Sequence, residues 1–157
     1  MIKLLRVDDR LLHGQVAFAW TKNLKINLIV VANDTIAHDE FTKMTLGLAK
    51  PQGVNLTIVE VKKATEILNT EKVKKYSTLI IVNNLVDAQR IAESVEEIKS
   101  INIGGIKERE GSKRYTNAVT LTDDDIRICR ELIEKNIEVE ARQMPVDKKQ
   151  LIKDLIK

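Results

Sequence analysis

One run constrains the fold more than any other: Ile26-Asn27-Leu28-Ile29-Val30-Val31-Ala32. A stretch this apolar and this rich in β-branched residues reads as a strand covered on both faces, as strands inside a parallel sheet are. Shorter β-rich runs recur at residues 2–7, 54–59, 78–82, 100–103, 116–119 and 137–141. Between them the apolar period changes to that of a helix, over residues 13–22, through Ala64, Ile67 and Leu68, and over 86–98. Strand and helix signals alternating from end to end predict an α/β fold with a mainly parallel central sheet of about seven strands. Residues 137–141 carry charge at alternate positions, the mark of an edge strand, and one antiparallel edge strand is expected.

Punctuation between the runs is specific. Asp34 is placed to cap a helix that carries Ile36, Phe41, Met44 and Leu48 at helical spacing and stops before Lys50-Pro51-Gln52-Gly53. Thr122-Asp123-Asp124-Asp125 starts an acidic-headed helix that runs to about Lys135. After Pro145, residues 146–157 read as a terminal amphipathic helix. With 157 residues and no linker or repeat, residues 1–157 are expected to form one domain, large enough to need no staples. The one cysteine, Cys129, lies in an amphipathic pattern and reads as core filler. No leader or membrane-length apolar run is present, so a cytoplasmic location is expected. Net charge is +3 with mixed signs and few aromatic residues, which argues against nucleic acid as a partner.

The chemistry concentrates where the first strand passes into the first helix, in Arg6-Val7-Asp8-Asp9-Arg10-Leu11-Leu12-His13-Gly14-Gln15-Val16. Ligands of open α/β sheets bind outside the carboxyl ends of the strands, and this stretch lies at such an end. His13, at a helix start, is free to react, and neutral imidazole is a nucleophile near neutral pH. A phosphoryl group arriving there needs charge neutralisation and positioning above all. Arg6 and Arg10 offer forked donors, the amides at the helix start offer more, and Gly14 leaves room for close approach. Either Asp8 or Asp9 can hold one imidazole nitrogen so that the other attacks. These ingredients fit a phosphohistidine carrier. The spacing of Asp8, Asp9 and His13 matches no zinc pattern, so neither metal nor cofactor is expected.

Loops after other strands converge on the same edge, which brings in Asn33-Asp34, Glu60, Asn83-Asn84 and Gly104-Gly105-Ile106-Lys107. Gly104 and Gly105 permit either a close phosphate approach or a sharp turn. Lys107, Arg109 and Arg114 suit an acidic partner face or a solvated loop equally. Two other readings compete. Asp8 and Asp9 after the first strand and Lys107 after the fifth suit a receiver-type phosphoaspartate domain, although Val59-Glu60 stands where that architecture needs an aspartate. A non-enzymatic regulatory module is the other.

The stretch Arg-Val-Asp-Asp-Arg-Leu-Leu-His-Gly-Gln-Val resembles the active-site signature of the enzyme IIB subunits of the bacterial phosphotransferase system, mannose/fructose/sorbose family. The resemblance continues through residues 33–39, Pro51-Gln52-Gly53-Val54, Asn102-Ile103-Gly104-Gly105 and Met144-Pro145, almost the whole chain in order. It implies that His13 accepts a phosphoryl group from a phosphorylated IIA partner and passes it to a sugar imported through membrane IIC and IID subunits. It implies that Arg6, Arg10, Asp8 and Asp9 flank that histidine, and a sheet of about seven strands with helices on both faces, often as a homodimer. Gly14, Gln15, Asp34, Gly104 and Gly105 are then the candidate phosphate- or substrate-binding residues, in a protein peripherally associated with its membrane transporter.

Overall fold

The computed structural model describes all residues, Met1–Lys157. In chain order the elements are β1 (Ile2–Asp8), α1 (Gly14–Leu24), β2 (Leu28–Ala32), α2 (Glu40–Leu48), β3 (Asn55–Val59), α3 (Val61–Leu68), β4 (Thr78–Val82), α4 (Leu85–Ser94), β5 (Ser100–Gly105), β6 (Lys113–Arg114), β7 (Thr120–Leu121), α5 (Asp123–Glu134), β8 (Glu138–Ala141), β9 (Gln150–Leu151) and α6 (Ile152–Leu155). Seven strands form one sheet in the order β3-β2-β4-β1-β5-β8-β9. All its pairs are parallel except β8–β9, which supplies the antiparallel edge.

The sheet sorts its side chains by alternation, as strands covered on both faces must. Leu4, Ile29, Val31, Leu79 and Ile81 face Trp20 of α1 and Leu46 of α2. Leu5, Val7, Val30, Ile80 and Ile103 face the layer formed by α3, α4, α5 and α6. Fully burying each such side chain contributes about 1.5–3 kcal/mol, so the two layers together fix the register of the sheet. α5 starts as its sequence predicts. Thr122 and Asp125 exchange side-chain and backbone hydrogen bonds in a capping box.

Four local expectations are corrected. Residues 116–119 add no strand to the main sheet: the Arg114 guanidinium takes the carbonyls of Thr116 and Asn117, and only Val119 bridges to Ile106. Residues 137–141 are not at the edge, because Gln150–Leu151 pairs outside them, within the segment expected to be all helix. Charge alternates there because Glu138 is exposed while Glu140 is drawn into a buried polar network. Asp34 does not cap α2. Asn33 accepts from the amides of Thr35 and Ile36, a short 3-10 turn follows at Ile36–His38, and Asp39 accepts from Thr42. With that later start Leu46 is the buried residue of α2, and Phe41, Met44 and Leu48 face outward.

Candidate active site at the β1–α1 corner

β1 ends in the middle of the sheet, between β4 and β5, and the chain turns there through residues 9–13 into α1. Leu11 holds the turn in a left-handed conformation (φ 56°) that costs a non-glycine residue about 1–2 kcal/mol, and its buried side chain offsets that strain. His13 is the N-cap of α1, in extended conformation, and its side chain does not cap the helix. The ring is therefore left for other work. The first-turn amides of α1 have no intrahelical acceptor, and no acidic side chain of that turn competes for them. A Cβ on Gly14 would meet nothing within 4 Å outside its chain neighbours, so the space beside this residue is open. Gln15 is exposed in the same turn.

Asp8 is the hub. It is completely buried, and its carboxylate accepts from the Arg10 amide (3.0 Å), from Arg10 Nε and NH2 (3.2 and 3.3 Å) and from Arg6 NH2 (3.1 Å). Its Oδ2 lies 3.5 Å from Nε2 of His13. Nε2 is itself buried and has no closer partner, so Nδ1 is left as the outward nitrogen. A separation of 3.5 Å is a contact short of a formed hydrogen bond, a common state of catalytic pairs before substrate arrives. Burial pushes the Asp8 carboxyl up, but the Arg10 hydrogen bonds and the charges of Arg6 and Arg10 outweigh burial and hold it below the ordinary carboxylate range. Of the two aspartates, Asp8 is thus the one beside the imidazole. Asp9 turns away and accepts from the Lys107 amide at 2.7 Å, tying the corner to the loop after β5.

The two arginines differ. Arg10 is nearly half exposed and borders an open cleft of about 450 Å³ that also touches Asp9, Gly105, Lys107, Arg114 and Gln143. Arg6 is buried beneath the corner and donates to Asn102 Oδ1 (2.7 Å), the Arg142 carbonyl (3.3 Å) and Asp8. Burial lowers the Arg6 pKa, and Asp8 pulls it back. The Trp20 ring lies 5.5 Å from the Arg6 guanidinium and 5.1 Å from that of Arg142, each a cation–π contact worth about 0.5–2 kcal/mol. The indole N–H of Trp20 donates to the Gln143 carbonyl and so ties α1 to the end of β8.

The paired glycines also divide their roles. Gly104 gives close approach to the Arg6 guanidinium, which fills the space a Cβ would take. Gly105 lies beside Arg10 and Asp8, with room for a methyl group. Asp34 is not brought to His13. β2 is two strands from β1, and its carboxylate accepts from the Val61 amide and from Arg90 of α4, on the opposite face from α1. His38 is exposed, 3.3 Å from Glu60. No three His, Cys, Asp or Glu side chains stand together as a metal site would require. Asn102, Glu140 and Arg142 are not among the site residues that the sequence suggests, although Asn102 lies in a stretch that carries the resemblance. The signal for Arg142 was its place at the carboxyl end of a parallel strand, and for Glu140 the charge alternation read as an edge.

Residues 2–157 match the family model described as "PTS system sorbose subfamily IIB component". The chain is 36% identical over 156 residues to the PTS system mannose-specific EIIAB component of Escherichia coli (strain K12), covering 99% of this chain and 48% of that protein. It therefore spans about half the length of that curated relative. It is 32% identical over 146 residues to the PTS system sorbose-specific EIIB component of Klebsiella pneumoniae, covering 93% of this chain and 89% of the relative. The crystal structure of the IIBSor domain of the K. pneumoniae sorbose permease superposes with a TM-score of 0.94 at 31% identity, over 99% of this chain and 96% of that one.

Proposed function

The chain belongs to the sorbose subfamily of phosphotransferase-system IIB components, and from that premise we propose that it carries a phosphoryl group on Nδ1 of His13, from a phosphorylated IIA partner to a sugar. The observation that carries this reading is the buried Asp8 carboxylate 3.5 Å from Nε2 of His13, which leaves Nδ1 as the other ring nitrogen at a helix start that no side chain caps. In the transfer, the lone pair of Nδ1 forms a bond to phosphorus as the P–N bond to the donor imidazole breaks. The ring keeps its Nε2 proton and becomes cationic, and Asp8 is placed to match that charge, as the carboxylate of a catalytic triad does. Arg10 and the first amides of α1, those of Gly14 and Gln15 among them, are the donors closest at hand for the phosphoryl oxygens. Arg6 acts beneath them, orienting Asp8. In the second transfer the P–N bond breaks, a sugar hydroxyl oxygen takes the phosphorus, and the hydroxyl proton goes to the freed Nδ1.

The membrane IIC and IID subunits and a homodimeric state belong to the same proposal, as does work at the cytoplasmic side of a transporter. No helix of this chain is long and apolar enough to cross a membrane. The test is labelling with radioactive phosphoenolpyruvate through the general phosphotransferase proteins and IIA. Wild type should be labelled, with the label labile in acid and stable in base, and His13→Ala should not. Labelling retained by His13→Ala, or labelling abolished by a magnesium chelator added after the donor is charged, refutes the carrier reading. Asp8, the first candidate of the phosphoaspartate reading, is wholly enclosed.

A further inference from the structure

Glu140 has no part in the transfer steps above, yet it is 3% exposed and its Oε2 has no hydrogen-bond partner. Burying a carboxylate with an unfilled oxygen costs free energy, so its surroundings must use its charge or its geometry. Its other oxygen accepts from Asn102 Nδ2 at 3.0 Å and from Arg142 NH2 at 3.1 Å. Asn102 passes the constraint on, because its Oδ1 accepts from Arg6 at 2.7 Å. Arg6 donates to Asp8 at 3.1 Å, and Asp8 Oδ2 stands 3.5 Å from Nε2 of His13. Each link is side chain to side chain, and every member before His13 is buried. With Nδ2 held by Glu140 and the Arg142 carbonyl, the carboxamide of Asn102 can present only its oxygen to Arg6.

We propose that Glu140 is a positioning residue for phosphoryl transfer: through Asn102 and Arg6 it fixes the Asp8 carboxylate against Nε2 of His13, so that Nδ1 is the nitrogen presented. This rests on the phosphohistidine reading. The chain contains its own reference, since His38 is the only other histidine and is exposed. The probe is phosphoramidate, whose P–N bond breaks as a histidine nitrogen bonds to phosphorus and ammonia leaves. Mass spectrometry of the folded protein then gives the rate at His13 relative to His38. A structural loosening that left the chain folded would not lower this ratio, whereas loss of alignment would.

Wild type should label His13 at least about tenfold faster than His38, and Glu140→Ala should remove most of that advantage, as misplacement of a reacting group does. Glu140→Gln, which keeps a carbonyl acceptor for Asn102, should recover part of it. If Glu140→Ala does not unfold cooperatively on heating, Glu140→Gln alone is read, and a fall of about threefold is expected. Val139→Ala, a cavity in the same strand, should leave the ratio unchanged. A wild-type ratio near one refutes the phosphohistidine reading and this inference with it. A high wild-type ratio that the folded Glu140 variants leave unchanged, or that Val139→Ala lowers equally, overturns this inference alone.

Discussion

Adjacent glycines at the end of β5 should respond oppositely to a single methyl group. A Cβ on Gly104 would sit well inside contact distance of all three terminal atoms of the Arg6 guanidinium. Such an overlap is cheap when the obstructing side chain can swing away. Arg6 cannot, because it is 2% exposed, stacked on Trp20 and bonded to Asn102, Asp8 and the Arg142 carbonyl. Displacing it separates a buried ion pair, and removing one partner of such a pair costs about 3–5 kcal/mol. For a domain of this size that corresponds to a drop in Tm of roughly 6–20 °C. On Gly105 the same methyl would meet Arg10 NH2 at 3.5 Å and Asp8 Oδ1 at 3.7 Å, ordinary contact distances. Gly105→Ala should therefore stay within about 1 kcal/mol of wild type. Calorimetry or urea unfolding of the two variants side by side is the assay. A Gly104→Ala protein that melts within about 2 °C of wild type, or equal shifts in both variants, refutes the account of Arg6 as an immovable buried partner.

Two further outcomes follow from perturbed groups. The folded-state pKa of Asp8 lies below its unfolded value, so its contribution is fully present above about pH 4 and is lost as pH falls through the lowered folded value. Urea midpoints measured against pH should fall more steeply on the acid side in wild type than in Asp8→Asn, and parallel curves would contradict this. The Cys129 thiol is pushed up to about 12 by burial and by the nearby Asp125 charge, so at pH 8 it carries almost no thiolate. A thiol reagent should react with it only after denaturant is added, and rapid native-state reaction would show that α5 opens locally.

What could be read in the chain alone is what depends on neighbours in sequence. The apolar run at residues 26–32 has no stable place except inside a sheet, and the Thr122–Asp125 box forms from residues three apart. The strand-to-helix corner that presents His13 is local as well, which is why its motif could be recognised without coordinates. The order of strands supplied the rest. Strand alternation turns Arg6 and Asp8 toward α1, and the backbone turn sends Asp9 to the Lys107 amide, which separates two aspartates that look equivalent in the sequence. Parallel pairing of β1 with β5 and of β5 with β8 carries Asn102 and Glu140 beneath Arg6 from about 100 and 130 residues away. The edge strand at Gln150–Leu151 likewise exists only because β8 offers it unpaired backbone groups. Burial of a charge depends on which distant chain closes over it, and no local pattern encodes that closure.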